Sequence, residues 1–131
     1  SVLMGGWIGL HLALLRPERV AALVGIAAAP DFTEWGFADG DDAVARGIAR
    51  VFWESGQRLL LLDGEIPIDC PVRLLHGEVD REVPLDVAFR LMRSLRSSDV
   101  QLNVLKGGGH RLSEPHEIQT IQATVEALLE P

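Results

Sequence analysis

The sequence has a single cysteine, Cys70, so no disulfide can form within the chain. A lone thiol fits a reducing compartment such as the cytoplasm. No basic neighbour is placed to activate it, and it reads as a packed, inert side chain. Basic residues are also few: 12 Lys and Arg against 19 Asp and Glu leave a net charge of −7, which excludes general nucleic-acid binding. Arg90, Arg93 and Arg96 are the nearest thing to a basic cluster and fit the last turns of one helix. No stretch reaches the roughly 18–20 apolar residues of a membrane span. No charged leader opens the chain, so no signal peptide is expected. The first residue is Ser rather than Met, the mark expected of a processed, trimmed or partial chain. No histidine pair has zinc-ligand spacing, and "GGG" lacks the Lys-Ser/Thr of a phosphate loop. Metals and other cofactors are therefore not expected.

What remains is an ordinary folding composition. With 131 residues, 47% of them hydrophobic, the chain is long enough to bury one core. Gly5 to about Leu15 is predicted to be a helix, apolar nearly all round and so buried, stopped by Pro17. "VAALVGIAAAP", residues 20–30, reads as a strand covered on both faces. Residues 31–65 hold five of the seven aromatics, an acidic turn and a helical segment around 42–55. They read as a lid-like insertion or as a peripheral helical layer. A strand "PVRLLHG", a helix from Pro84, a strand "DVQLNVL" and a last helix capped at Ser113 follow. Val87, Leu91 and Leu95 form one helical stripe, and Ile118, Ile121, Val125 and Leu128 another. Strands alternating with helices predict a mostly parallel α/β sheet. The chain divides into residues 1–30, the insertion 31–65 and a βαβα segment 66–131.

In such sheets functional groups collect beyond the carboxyl ends of strands. Asp80 lies on the loop after one strand, in "HGEVDREVP", and His110 on the loop after the next, in "KGGGHRLSEP". A carboxylate can accept the imidazole N–H, fix its tautomer and stabilise the imidazolium formed in catalysis. The three glycines before His110 fit a tight backbone approach or a plain flexible turn. Of the other histidines, His11 is expected to pack inside the first helix. His76 is expected to hold the Asp80 loop by a hydrogen bond, and His116 to be solvated.

These segments, in this order, resemble the C-terminal part of the α/β-hydrolase superfamily. "MGGWIGLHLALLRPERVAALVGIAAAPDFTE" is similar to the helix after its nucleophile elbow and the strand that follows. "CPVRLLHGEVDREVP" resembles its acid-bearing segment and "GGGHRLSEP" its histidine-bearing one. The similarity is strongest to the serine-esterase branch containing palmitoyl-protein thioesterases and acyl-glucuronide esterases. It implies an esterase or thioesterase acting on small acyl esters or thioesters, with Asp80 as the triad acid and His110 as the base. It further implies that the Met4 backbone N–H is one oxyanion donor, and that Trp35, Phe37, Phe52 and Trp53 line the acyl pocket. One departure stands at the elbow. Aligning "MGGW" with the family's G-x-S-x-G-G-W puts Leu3 on the nucleophile position, and leucine has no nucleophilic atom. Ser1 lies two residues too early to replace it. The chain alone is expected to be inactive or nearly so, with a degenerate, binding or partner role as the alternative. An incomplete sheet would also expose a strand edge and favour self-association.

Overall fold

The computed structural model describes residues 5–130. At its centre runs β2 (Val72–Gly77), whose Val72, Leu75 and His76 are each about 1% exposed. A strand flanked on both edges and largely buried needs mostly apolar residues, and "VRLL" supplies them apart from Arg73, whose guanidinium donates to Asp99 at 2.8 Å. Parallel β1 (Leu23–Ile26) pairs with one edge of β2, in register from Leu23↔Val72 to Ile26↔Leu75. Parallel β3 (Val100–Leu105) pairs with the other, from Val72↔Val100 to Gly77↔Leu105. The sheet order is therefore β1-β2-β3. Because Gly77 and Leu105 are register partners, β2 and β3 end level. Their following loops leave the sheet side by side.

Around this sheet lie α1 (Gly5–Leu15), α5 (Leu85–Ser94) and α6 (Pro115–Leu129). The stripe read from sequence on α5 is buried: Val87, Leu91 and the following Leu95 join Val72, Ile66 and Val83 in the core. Fully burying a side chain such as Leu91 contributes roughly 1.5–3 kcal/mol. Arg90, Arg93 and Arg96 do not all lie on this helix, since it ends at Ser94. Arg96 instead forks onto Asp69, at 2.8 and 2.6 Å.

The outer elements differ from expectation. Helix α1 has the expected bounds but buries only Trp7, Leu10 and Ala13, leaving Ile8, Leu12 and Leu15 more than half exposed. The 20–30 run contributes just four strand residues, and Ile26 is exposed. In both cases neighbours cover one side only. On α6 the cap is Glu114, not Ser113. Its carboxylate and that of Glu117 form a reciprocal capping box, with Glu117 buried. Seating Glu117 inward turns Ile118 and Val125 outward, and leaves Thr120, Ile121, Thr124 and Leu128 half-buried.

Between β1 and β2 the chain forms α2 (Phe32–Trp35), α3 (Gly40–Ala45) and α4 (Arg50–Gln57). The single helix expected around 42–55 is broken at Gly47, whose φ of +93° glycine adopts without steric cost. The insertion is tied to the end of β1 by Asp31, which is 2% exposed. Its carboxylate accepts the Leu61 N–H at 2.7 Å and the Leu62 N–H at 2.8 Å. Burial holds this carboxyl above its ordinary value, against the lowering by those two N–H groups, and nearby Asp63 adds to the rise. Among the described residues no helix is long and apolar enough to cross a membrane.

Candidate functional site

Asp80 sits on the tight loop after β2 with its side chain fully buried. Its Oδ1 accepts the Glu82 N–H at 2.8 Å and the Val83 N–H at 2.9 Å, a local turn that aspartate side chains favour. Its Oδ2 is left free to face His110 Nδ1, 3.0 Å away. Burial by itself raises the Asp80 carboxyl. The Val83 N–H, the His110 ring and the Glu82 N–H together outweigh it and hold the group below its ordinary value. The carboxylate is thus kept charged. As an acceptor, it requires Nδ1 of His110 to carry the hydrogen, which leaves Nε2 as the working nitrogen.

The loop has the support expected of His76, whose Nε2 donates to the Val83 carbonyl oxygen at 2.8 Å. The same nitrogen lies 3.6 Å from Asp80 Oδ2, so two histidines approach the same carboxylate oxygen.

His110 is carried by a loop that cannot be widened. The Val79 N–H donates to the Gly108 carbonyl oxygen at 3.0 Å, and the Gly107 N–H to Glu78 Oε1 at 2.9 Å. Two of the three glycines have distinct tasks. Gly107 takes a φ of +69°, while any Cβ on Gly108 would lie 2.8 Å from Glu117 Oε2 and from Leu112 Cδ2. Leu112 itself is buried with a φ of +47°, a left-handed conformation that costs a non-glycine residue about 1–2 kcal/mol. Its packing against Gly108 fixes the loop just past His110. The tight approach is the outcome; the plain flexible turn is not.

On the far side of the ring, Glu82 Oε2 lies 3.1 Å from His110 Nε2. Nothing in the residue pattern by itself marks Glu82 as part of the site. The available signal was its position two residues after Asp80, on the same turn. Asp31 was missed as well, although a charged residue directly after the apolar run at 20–30 marks the end of a core strand.

The structure brings Asp80 and His110 together, but not the four aromatics. Trp35 and Phe37 each pack edge-on against Phe32, at 5.3 Å between ring centroids. Trp53 donates from its indole to the Thr33 carbonyl and packs against Gly40. Phe52 lies in a separate cleft of about 100 Å³ with Trp7, Ile8 and His11. His11 is not enclosed: its Nε2 and the Trp7 indole both reach the Leu59 carbonyl oxygen, at 2.8 and 3.1 Å. His116 is exposed, as expected. The Cys70 thiol is half-buried; burial raises it, its own backbone lowers it less, and the Asp69 charge adds to the rise. Ser1, Leu3 and Met4 lie outside the described residues.

No family model matches the chain. The palmitoyl-protein thioesterase ABHD10, mitochondrial, of Mus musculus is 32% identical over 149 residues, taking in 97% of this chain and 50% of that protein. The solved structure of alpha/beta hydrolase domain-containing protein 10 from mouse superposes with a TM-score of 0.84 at 31% identity. It matches 96% of this chain and 58% of that one. A crystal structure from Agrobacterium vitis S4 gives a TM-score of 0.87 at 30% identity, over 97% of this chain and 59% of that one. The chain spans about half the length of the curated relatives it matches. With the parallel sheet and its flanking helices, these likenesses settle the family: the chain belongs to the α/β-hydrolase superfamily and carries the C-terminal part of its fold.

Proposed function

We propose that this chain supplies the acid and the base of a serine-hydrolase-type esterase or thioesterase. With Leu3 at the nucleophile position, it turns over acyl substrates by itself little or not at all. The observation that carries the reading is the 3.0 Å contact between His110 Nδ1 and a fully buried Asp80. In the competent reaction His110 Nε2 takes the proton of an attacking serine hydroxyl while Asp80 stabilises the imidazolium. The same nitrogen returns the proton to the departing alcohol or thiol. It then activates the water that cleaves the acyl-enzyme. The Met4 backbone N–H is assigned to the oxyanion, and Trp35, Phe37, Phe52 and Trp53 of the 31–65 insertion to the acyl side. Phe52, 38% exposed, lines its cleft from the insertion together with Leu59. On this reading the acyl chain lies against 31–65 and the acid-base chemistry resides in 66–131. The lone thiol keeps the cytoplasm as the proposed compartment, whereas the name of the mouse thioesterase places that relative in the mitochondrion.

The test is turnover of an acyl ester and an acyl thioester by the unmodified chain, by Leu3→Ser and by Leu3→Ser with His110→Ala. Removing a triad nucleophile costs roughly a millionfold in rate, so the unmodified chain is expected at background. Leu3→Ser is expected to raise turnover, and His110→Ala to abolish the gain. Robust turnover by the unmodified chain overturns the impaired reading, and turnover indifferent to His110 overturns the base assignment.

A second reading, a non-catalytic binding role with self-association, draws on the exposed Ile8, Leu12 and Leu15 beside edge strand β1. Unfolding that depends on protein concentration supports it. A stable monomer on dilution counts against it.

A further inference from the structure

We propose that Glu82 is an ionic gate on His110: its carboxylate occupies the nitrogen that must exchange protons with nucleophile and leaving group, and the site works only when Glu82 swings away. The proposal rests on reading His110 as the base. Its ring is held between two carboxylates of opposite character. Asp80, on Nδ1, is fully buried and fixed by two backbone N–H groups. Glu82, beside Nε2, lies 3.1 Å away with its side chain 58% exposed. The pair is strongest when the imidazole is charged, and a charged imidazole has no lone pair on Nε2 to accept a proton. At that distance the carboxylate also covers Nε2 from an incoming nucleophile or leaving group.

The gate is also built to open. The Glu82 backbone is anchored through its N–H to Asp80 Oδ1, while its side chain projects into solvent and can rotate without disturbing that turn. Exposed ion pairs are weak, so an arriving group can displace it. A substrate bearing an anion on that side of the ring would have to displace one carboxylate while facing it.

The test is carbethoxylation of the intact chain by diethylpyrocarbonate, read residue by residue by mass spectrometry. The reagent needs a free ring nitrogen, and exposed His116 serves as the internal reference. In the wild type His110 is expected to react more slowly than His116. Glu82→Gln and Glu82→Ala are each expected to speed His110 severalfold, with His116 and thermal unfolding unchanged. Raised ionic strength should speed His110 in the wild type and leave both variants flat. Unchanged His110 reactivity in both variants overturns the gate. So does a rise in Glu82→Ala alone, which would mark simple steric cover. The readout needs no turnover, so it can fail while the esterase reading stands, and it can succeed in a chain that hydrolyses nothing.

Discussion

The close approach of β2 to the histidine loop makes Gly77→Ala the most informative single substitution outside the acid and base themselves. Gly77 follows His76 and ends the strand. A Cβ built there lies 2.6 Å from the Gly108 carbonyl carbon, and closer still to the Gly108 and Gly109 carbonyl oxygens. Real Cβ contacts do not fall below 3.0 Å, so against the carbon alone the two segments must part by 0.4 Å, and by more against the oxygens. All three obstacles are backbone, so no side chain can rotate aside. Overpacking of this kind costs roughly 1–3 kcal/mol. The displacement falls one residue before His110 and stretches the 3.0 Å contact to Asp80 toward the limit of a hydrogen bond. Weakening that bond to a buried carboxylate adds about 1 kcal/mol or more. The expected total of about 2–4 kcal/mol should appear as a fall of roughly 10 °C in Tm for a chain of this length. Denaturant titration gives the free energy, and the His110 ring resonances report the lost contact. A Gly77→Ala protein that melts within about 2 °C of the wild type, with an unshifted His110 ring, would refute the reasoning.

Two further outcomes follow from the buried carboxylates. Asp80 is held below 3.8, so its contribution is present above that pH and is lost as pH falls through the lower folded value. Asp80→Asn should therefore flatten the acid limb of stability against pH. It should also weaken the fold near neutrality, because the amide sets a donor against the His110 N–H; an unchanged acid limb would contradict this. Asp31→Ala should cost about 2–4 kcal/mol by stranding the buried Leu62 N–H and the partly buried Leu61 N–H. Hydrogen exchange should show those two amides opening far faster than the β2 amides, and equal protection would contradict the clamp.

The parts of the fold that were legible in sequence are those where one constraint dominates. β2 is a short, mostly apolar segment and β3 an alternating one, each bounded by turn residues, so their limits, and with them the loops carrying Asp80 and His110, could be read directly. α5 was legible because its stripe at spacing four faces a single core. The periphery was harder because several solutions compete there. The apolar surface of α1 predicts burial only if neighbours cover each side, and Ile8 and Leu12 stay more than half exposed among the described residues. On α6 a polar group, Glu117, took the buried position that hydrophobic periodicity gave to Ile118. Glu82 was hidden for another reason. Its role depends on which way a ring nitrogen points, and spacing along the chain does not encode that.

The Asp80–His110 contact joins residues only 30 positions apart, within one strand-helix-strand unit. Closing so short a segment has a small entropic cost, because the loop term grows only with the logarithm of length. The Asp80–His110 contact can therefore form locally, without waiting for the distant residues 31–65. It is also locally held: the hydrogen bonds described around Asp80 and His110 all join residues 76–110, so a substitution in front of β2 can leave that contact unchanged.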